Sequence, residues 1–125
     1  MTRILLVDDD ELLRRMLRLT LIKMGHVVIE AVNGNEALRL CQTEPPDIVL
    51  TDLIMPEKEG IETIREMRQL HPDVKIIAMS GGGRGNAKDY LVVAKRLGAA
   101  HTLNKPFTNE ELAGAIAAVG GSSGT

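Results

Sequence analysis

A chain of 125 residues fits one domain and leaves no room for a second of ordinary size. With 44% hydrophobic and 26% charged residues it has the balance of a folded globular protein, and a net charge of −2 excludes a general electrostatic grip on nucleic acid or an anionic membrane. Tyr90 and Phe107 are the only aromatic residues, which excludes a multi-ring stacking platform for single strands and leaves Leu, Ile, Val, Met and Ala to build the core.

The first apolar run, Ile4–Val7, is short and is cut off by Asp8-Asp9-Asp10. It reads as a buried strand, and it is too short for a signal peptide or a membrane span. Glu11 to Met24 then carries Leu12, Leu13, Met16, Leu17, Thr20, Leu21 and Met24 near the spacing of an amphipathic helix, with Asp10 as its N-cap and Gly25 closing it. A second run, Val27–Ala31, precedes a helix that opens at Asn33, with Glu36 as its capping-box partner. Cys41, in that helix, is the only cysteine, so no intramolecular disulfide can form and no zinc-type cluster exists; a reducing, cytoplasmic setting is the expectation. Neither Cys41 nor His26 is given a role.

The third run is Ile48–Leu50, ending at Asp52; a helix is predicted over Ile61 to Leu70, stopped before Pro72. The fourth run, Val74–Met79, ends at Ser80, and a helix is predicted from Asn86 or Ala87 to Leu97, closed by Gly98. The weaker fifth run, Ala100–Leu103, carries His101 and Thr102 and suits a sheet edge; it leads to Lys105-Pro106. Thr108 opens the last helix with Glu111 as box partner, and its Ala-rich body is Leu112 to Val119. Met16, Met24, Met67 and Met79 read as core filling. The domain is expected over residues 1–119, with a frayed Gly/Ser tail over 120–125.

Short Ile/Val-rich runs with few polar residues read as strands buried on both faces. Their strict alternation with helices gives an α/β fold: an open, five-stranded, parallel, doubly wound sheet with flavodoxin-like strand order 2-1-3-4-5 and five helices. In such sheets the site lies beyond the carboxyl ends of the strands, at the switch between the first and third. Those ends carry Asp8, Asp9, Asp52, Ser80 and Lys105. Clustered carboxylates need a compensating cation, and oxygen-only donors suit Mg²⁺. A carboxylate beside Mg²⁺ is a competent nucleophile towards phosphorus, with Lys105 and Ser80 able to hold phosphoryl oxygens.

In this arrangement Val7-Asp8-Asp9, Asp52-Leu53-Ile54-Met55-Pro56 with Gly60, Ser80, Leu97-Gly98-Ala99 and Lys105-Pro106-Phe107 resemble the receiver domain of bacterial two-component response regulators, from Arg3 to Val119. The resemblance implies a phosphorylation-dependent signalling switch of the stand-alone, chemotaxis-regulator type. Asp52 is then the phosphoacceptor, served by a sensor histidine kinase or a phosphotransfer protein. Asp9, Asp52 and the backbone carbonyl of Ile54 bind Mg²⁺, and Asp8 acts mainly through metal-bound water. Ser80 hydrogen-bonds the phosphoryl group, Lys105 pairs with it, and a cis bond precedes Pro106. Such a domain catalyses its own phosphorylation and dephosphorylation yet is primarily a signalling module. Output is expected through a protein partner on the face formed by the fourth helix, fifth strand and fifth helix, with no role for nucleic acid or membrane.

Two features depart from the family. The aromatic usual three residues before the lysine is replaced by Thr102, and Gly81-Gly82-Gly83-Arg84-Gly85 follows Ser80. That stretch reads either as an ordinary flexible loop or as a replacement switch in which Arg84 approaches the phosphoryl group or a partner. Two rival classes share parts of the pattern. A phosphohydrolase of the haloacid dehalogenase type also uses an Asp nucleophile, but this chain has no cap domain and no threonine two residues after its D-x-D. An FMN binder lacks the rings to sandwich the flavin here, and a degenerate receiver serving only for docking does not need the intact acidic set.

Overall fold

In the computed structural model, residues 2–53, 60–81, 92 and 94–119 are described. Five parallel strands, β1 (Arg3–Val7), β2 (Val27–Ala31), β3 (Ile48–Asp52), β4 (Lys75–Gly81) and β5 (His101–Lys105), form one sheet in the order β2-β1-β3-β4-β5. Helices α1 (Glu11–Lys23), α2 (Gly34–Thr43), α3 (Gly60–Leu70), α4 (residues 92 and 94–97) and α5 (Asn109–Val119) alternate with them. The expected start of α4 near 86, the tail 120–125, Tyr90, and the site residues Ile54, Gly82, Gly83 and Arg84 lie outside the described residues.

Alternation along the strands sorts the aliphatic side chains into two cores, because successive residues point to opposite faces. Ile4, Leu6, Ile48, Leu50, Ile77, Met79 and Leu103 pack against Leu17 and Leu21 of α1 and Leu112, Ala115 and Ile116 of α5. Leu5, Val7, Val49, Ile76 and Ala78 pack against Ala37 and Cys41 of α2, Ile64 and Met67 of α3, and Ala94. Cys41 is a core residue of this second layer; its Sγ donates to Met67 Sδ at 3.2 Å, and burial pushes its thiol up to about 11. The cores need no ring at their centre, and Phe107 only flanks the first.

The helix starts follow local hydrogen-bond arithmetic. The side chain of Asp10 accepts from Leu13 N–H, that of Asn33 from Glu36 N–H, and Glu36 reaches back to Val32 N–H. Thr108 and Glu111 exchange side-chain bonds to each other's amides at 2.9 and 3.0 Å, a complete capping box. Gly25 and Gly98 end α1 and α4 with φ of +95° and +120°, the left-handed region that glycine enters at low cost.

Three expectations are corrected. Leu12 and Met16 are 71% and 58% exposed and are not core. The inward stripe of α1 is Leu13, Leu17 and Leu21, and a residue one position earlier is turned about 100° away from it. Strand β2, at the edge where the expected order puts it, is not buried on both faces: Val27 is exposed and only Ala31 is fully buried. The fifth strand runs two residues further than Leu103, which carries Lys105 onto the sheet itself.

A Cβ added at Gly98 would meet Arg68 Cγ and Cδ at 2.8 Å, whereas at Gly25 it would meet nothing within 4 Å. The Arg68 guanidinium holds the carbonyls of Pro72 and Val74, so its stem cannot yield freely. Gly98→Ala is therefore expected to lower stability by at least about 1 kcal/mol more than Gly25→Ala, which carries only the backbone cost. Urea denaturation of the two variants measures the difference, and equal losses contradict it.

Candidate functional site at the carboxyl ends of the strands

Parallel strands end on the same side, so the residues that close β1, β3, β4 and β5 share one rim. One carboxylate oxygen from each of Asp8, Asp9 and Asp52 lies within 4.8 Å of the others. Lys105 enters from the far end of the sheet, its Nζ 3.1 Å from Asp8 Oδ2 and 3.5 Å from Asp52 Oδ2. Among the described residues three carboxylates face one ammonium, in a site where Asp8 is fully buried and Asp9 is open to solvent.

Asp8 is fastened at every polar atom. Its N–H donates to Ala31 O at 3.2 Å, Oδ1 accepts from Asp10 N–H at 3.0 Å, Oδ2 takes Lys105, and its carbonyl accepts from Arg14 Nη1 at 2.8 Å. Ser80 stands one residue beyond Met79, which is level with Asp52 in the β3–β4 register. Its Oγ is buried with no hydrogen-bond partner among the described residues. A buried hydroxyl left without a partner costs about 1–3 kcal/mol. The Lys105–Pro106 peptide is cis. Thr102 lies level with Ala78 in the β4–β5 register; Leu103 packs on the α1/α5 side, so Thr102 faces the α4 side, half-buried.

The structure thus brings Asp8, Asp9, Asp52 and Lys105 together and sets Ser80 at the same end of the sheet; Gly81 closes β4 level with Lys105. Asp10, at the same strand end, is the cap of α1. The donor set fits Mg²⁺: hard oxygen ligands only, a surplus of negative charge, and an exposed side at Asp9 where water ligands can sit. Sequence reasoning missed Arg14, which is 8% exposed, and its partner Glu30, bonded Nε to Oε1 at 2.9 Å. The signal was present: Glu30 is a lone charge in the run Val27–Ala31, and an acid inside a strand asks for a cation.

Comparison with known proteins gives one answer. The model of the response regulator receiver domain family matches residues 4–117. The chemotaxis protein CheY of Thermotoga maritima is 39% identical over 84% of this chain and 86% of its own length. Sporulation initiation phosphotransferase F of Bacillus subtilis is 33% identical over 91% and 90%. The transcriptional regulatory protein CpxR of Klebsiella pneumoniae is 40% identical, but the chain spans only 49% of it. Among solved structures, a response regulator receiver domain protein from Clostridium thermocellum superposes with a TM-score of 0.88 at 28% identity, covering 98% of both chains. Among the described residues no helix is long and apolar enough to cross a membrane.

Among the described residues, removing the ammonium leaves Asp8 buried with only the Asp10 N–H on its carboxylate. Lys105→Ala is expected to cost about 1–3 kcal/mol at neutral pH in urea denaturation. Adding Asp8→Asn to that variant should restore part of the loss; a double variant no more stable than the single one contradicts the pairing.

Proposed function

The chain belongs to the response regulator receiver domain family, and from that membership we propose that Asp52 is the residue phosphorylated, by a sensor histidine kinase or a phosphotransfer protein. Phosphorylation-dependent signalling is the family's work; the residue roles are our reading of this site. The observation that carries it is the convergence of Asp8, Asp9 and Asp52 within 4.8 Å, with Lys105 on two of them.

An Asp52 carboxylate oxygen attacks phosphorus, the N–P bond of the donor phosphohistidine breaks, and its electron pair stays on the imidazole. Lys105 Nζ, already 3.5 Å from Asp52, pairs with a phosphoryl oxygen as charge builds there. The Ser80 hydroxyl, with no partner among the described residues, donates to another. Asp9 and Asp52, with the carbonyl of Ile54 (outside the described residues), would hold Mg²⁺ directly, and Asp8 through a metal-bound water. Bound Mg²⁺ supplies charge neutralisation for the transferring group. Hydrolysis by water at phosphorus later breaks the Asp52 O–P bond and restores the carboxylate. The signal leaves through a protein partner on the α4–β5–α5 face, where Thr102 stands in place of a ring. Gly81 to Arg84, next to that face in sequence, are the candidates for the replacement switch.

Incubation with acetyl phosphate and Mg²⁺ is expected to give an adduct of one phosphoryl group by mass spectrometry, stable in acid and labile in base, and Asp52→Asn should abolish it. Labelling of Asp52→Asn as full as wild type would refute the assignment, and rapid turnover of a phosphomonoester would favour a phosphohydrolase.

A further inference from the structure

The acidic rim is held from behind by a buried arginine. Arg14 sits one turn into α1, just past the Asp10 cap, and is 8% exposed. Its guanidinium bridges two elements: Nε donates to Glu30 Oε1 on β2 at 2.9 Å, and Nη1 donates to the backbone carbonyl of Asp8 at 2.8 Å. Glu30 lies level with Leu6 in the β1–β2 register, and its second oxygen pairs with Arg18 Nε at 3.3 Å. Glu30 therefore fixes the arginine, and the arginine fixes the peptide plane between Asp8 and Asp9. With Asp8 N–H on Ala31 O, both peptide planes flanking Asp8 are tied to fixed partners.

Asp9 is the exposed member of the cluster, and its backbone begins at that peptide plane. We propose that Arg14 is a positioning residue for the metal site: by clamping the Asp8 carbonyl against Glu30 it orients the Asp8–Asp9 peptide so that the Asp9 carboxylate points at the cation. The inference rests on the reading above that these carboxylates hold a divalent cation. Arg18 is the built-in control, since it shares Glu30 but is not bonded to Asp8.

The test measures Mn²⁺ binding to the whole chain by electron paramagnetic resonance, with Mg²⁺ as competitor. Arg14→Gln is expected to weaken binding about tenfold, as loss of an outer-shell support does, while Arg18→Gln stays at wild-type affinity. The metal-free Asp9 amide ¹⁵N shift, which senses the hydrogen bond on the Asp8 carbonyl, should move in Arg14→Gln and not in Arg18→Gln. At saturating Mg²⁺ the rate of acetyl phosphate labelling of Arg14→Gln should return towards wild type, because Asp52, Ser80 and Lys105 are untouched. If Arg14→Gln does not fold, Arg14→Lys carries the same test, since one ammonium lacks the fork that serves both partners. Equal affinities for the Arg14 and Arg18 variants overturn the proposal alone. A wild-type chain that binds no Mn²⁺ overturns the metal reading and this inference with it.

Discussion

The ion pair between Lys105 and Asp8 joins residues 97 positions apart, the end of the last strand and the end of the first. Much else in the structure follows from the need to make that contact. A fully buried carboxylate is tolerated only with a cation and hydrogen bonds around it. The ammonium comes from β5, three positions from β1 with β3 and β4 between them, so this contact closes only when the sheet has its full order. Asp52, at the end of the intervening β3, lies on the same ammonium at 3.5 Å. The acidic site and the sheet topology are thus one problem with one solution.

The rest of the molecule supplies rigidity to that rim without aromatic residues at its centre. Ile, Leu, Val and Met on alternate strand positions fill both faces, and Ala37, Ala94, Ala78 and Ala115 let the helices approach closely. Branched aliphatic side chains on a parallel sheet have few rotamers, so strand ends set on such a core are held firmly. The edges differ. On β2 the lone charge Glu30 is used inward, as the anchor of Arg14. On β5 the half-buried Thr102 and His101 mark the side where the sheet is open.

How much of this was legible in the sequence depends on how local the cause is. Caps are local: Asp10, Asn33, Thr108 and Glu111 behave as their side-chain chemistry dictates. The strand order and the gathering of Asp8, Asp9, Asp52 and Lys105 were also legible, because alternation of strands and helices places parallel strand ends on one rim. What failed was phase and neighbourhood. Seven residues from Leu12 to Met24 looked inward at tolerant helical spacing, but only a packed sheet decides which stripe is central, and it chose Leu13, Leu17 and Leu21 over Leu12 and Met16. The expected order already put Val27–Ala31 at an edge, but an apolar run cannot announce that its faces are only partly covered there. Glu30 signalled the need for a cation but not which one: a polar residue on an amphipathic helix, such as Arg14, reads as solvent-facing until the strand carrying Glu30 is placed beside it.

The division of labour around Asp8 has a consequence for the switch. Its carboxylate shares Lys105 with Asp52, at 3.1 and 3.5 Å. Any negative charge added at Asp52 draws the ammonium towards the β3 side and away from Asp8, since one ammonium cannot keep its distance to both as the balance of charge changes. A residue positioned only through its carboxylate would then be released. Asp8 is also positioned through its backbone, by Ala31 at its N–H and Arg14 at its carbonyl, and neither bond involves the oxygens of its side chain. The rim can therefore redistribute charge across its side chains while the backbone of Asp8 keeps its bonds to Ala31 and Arg14.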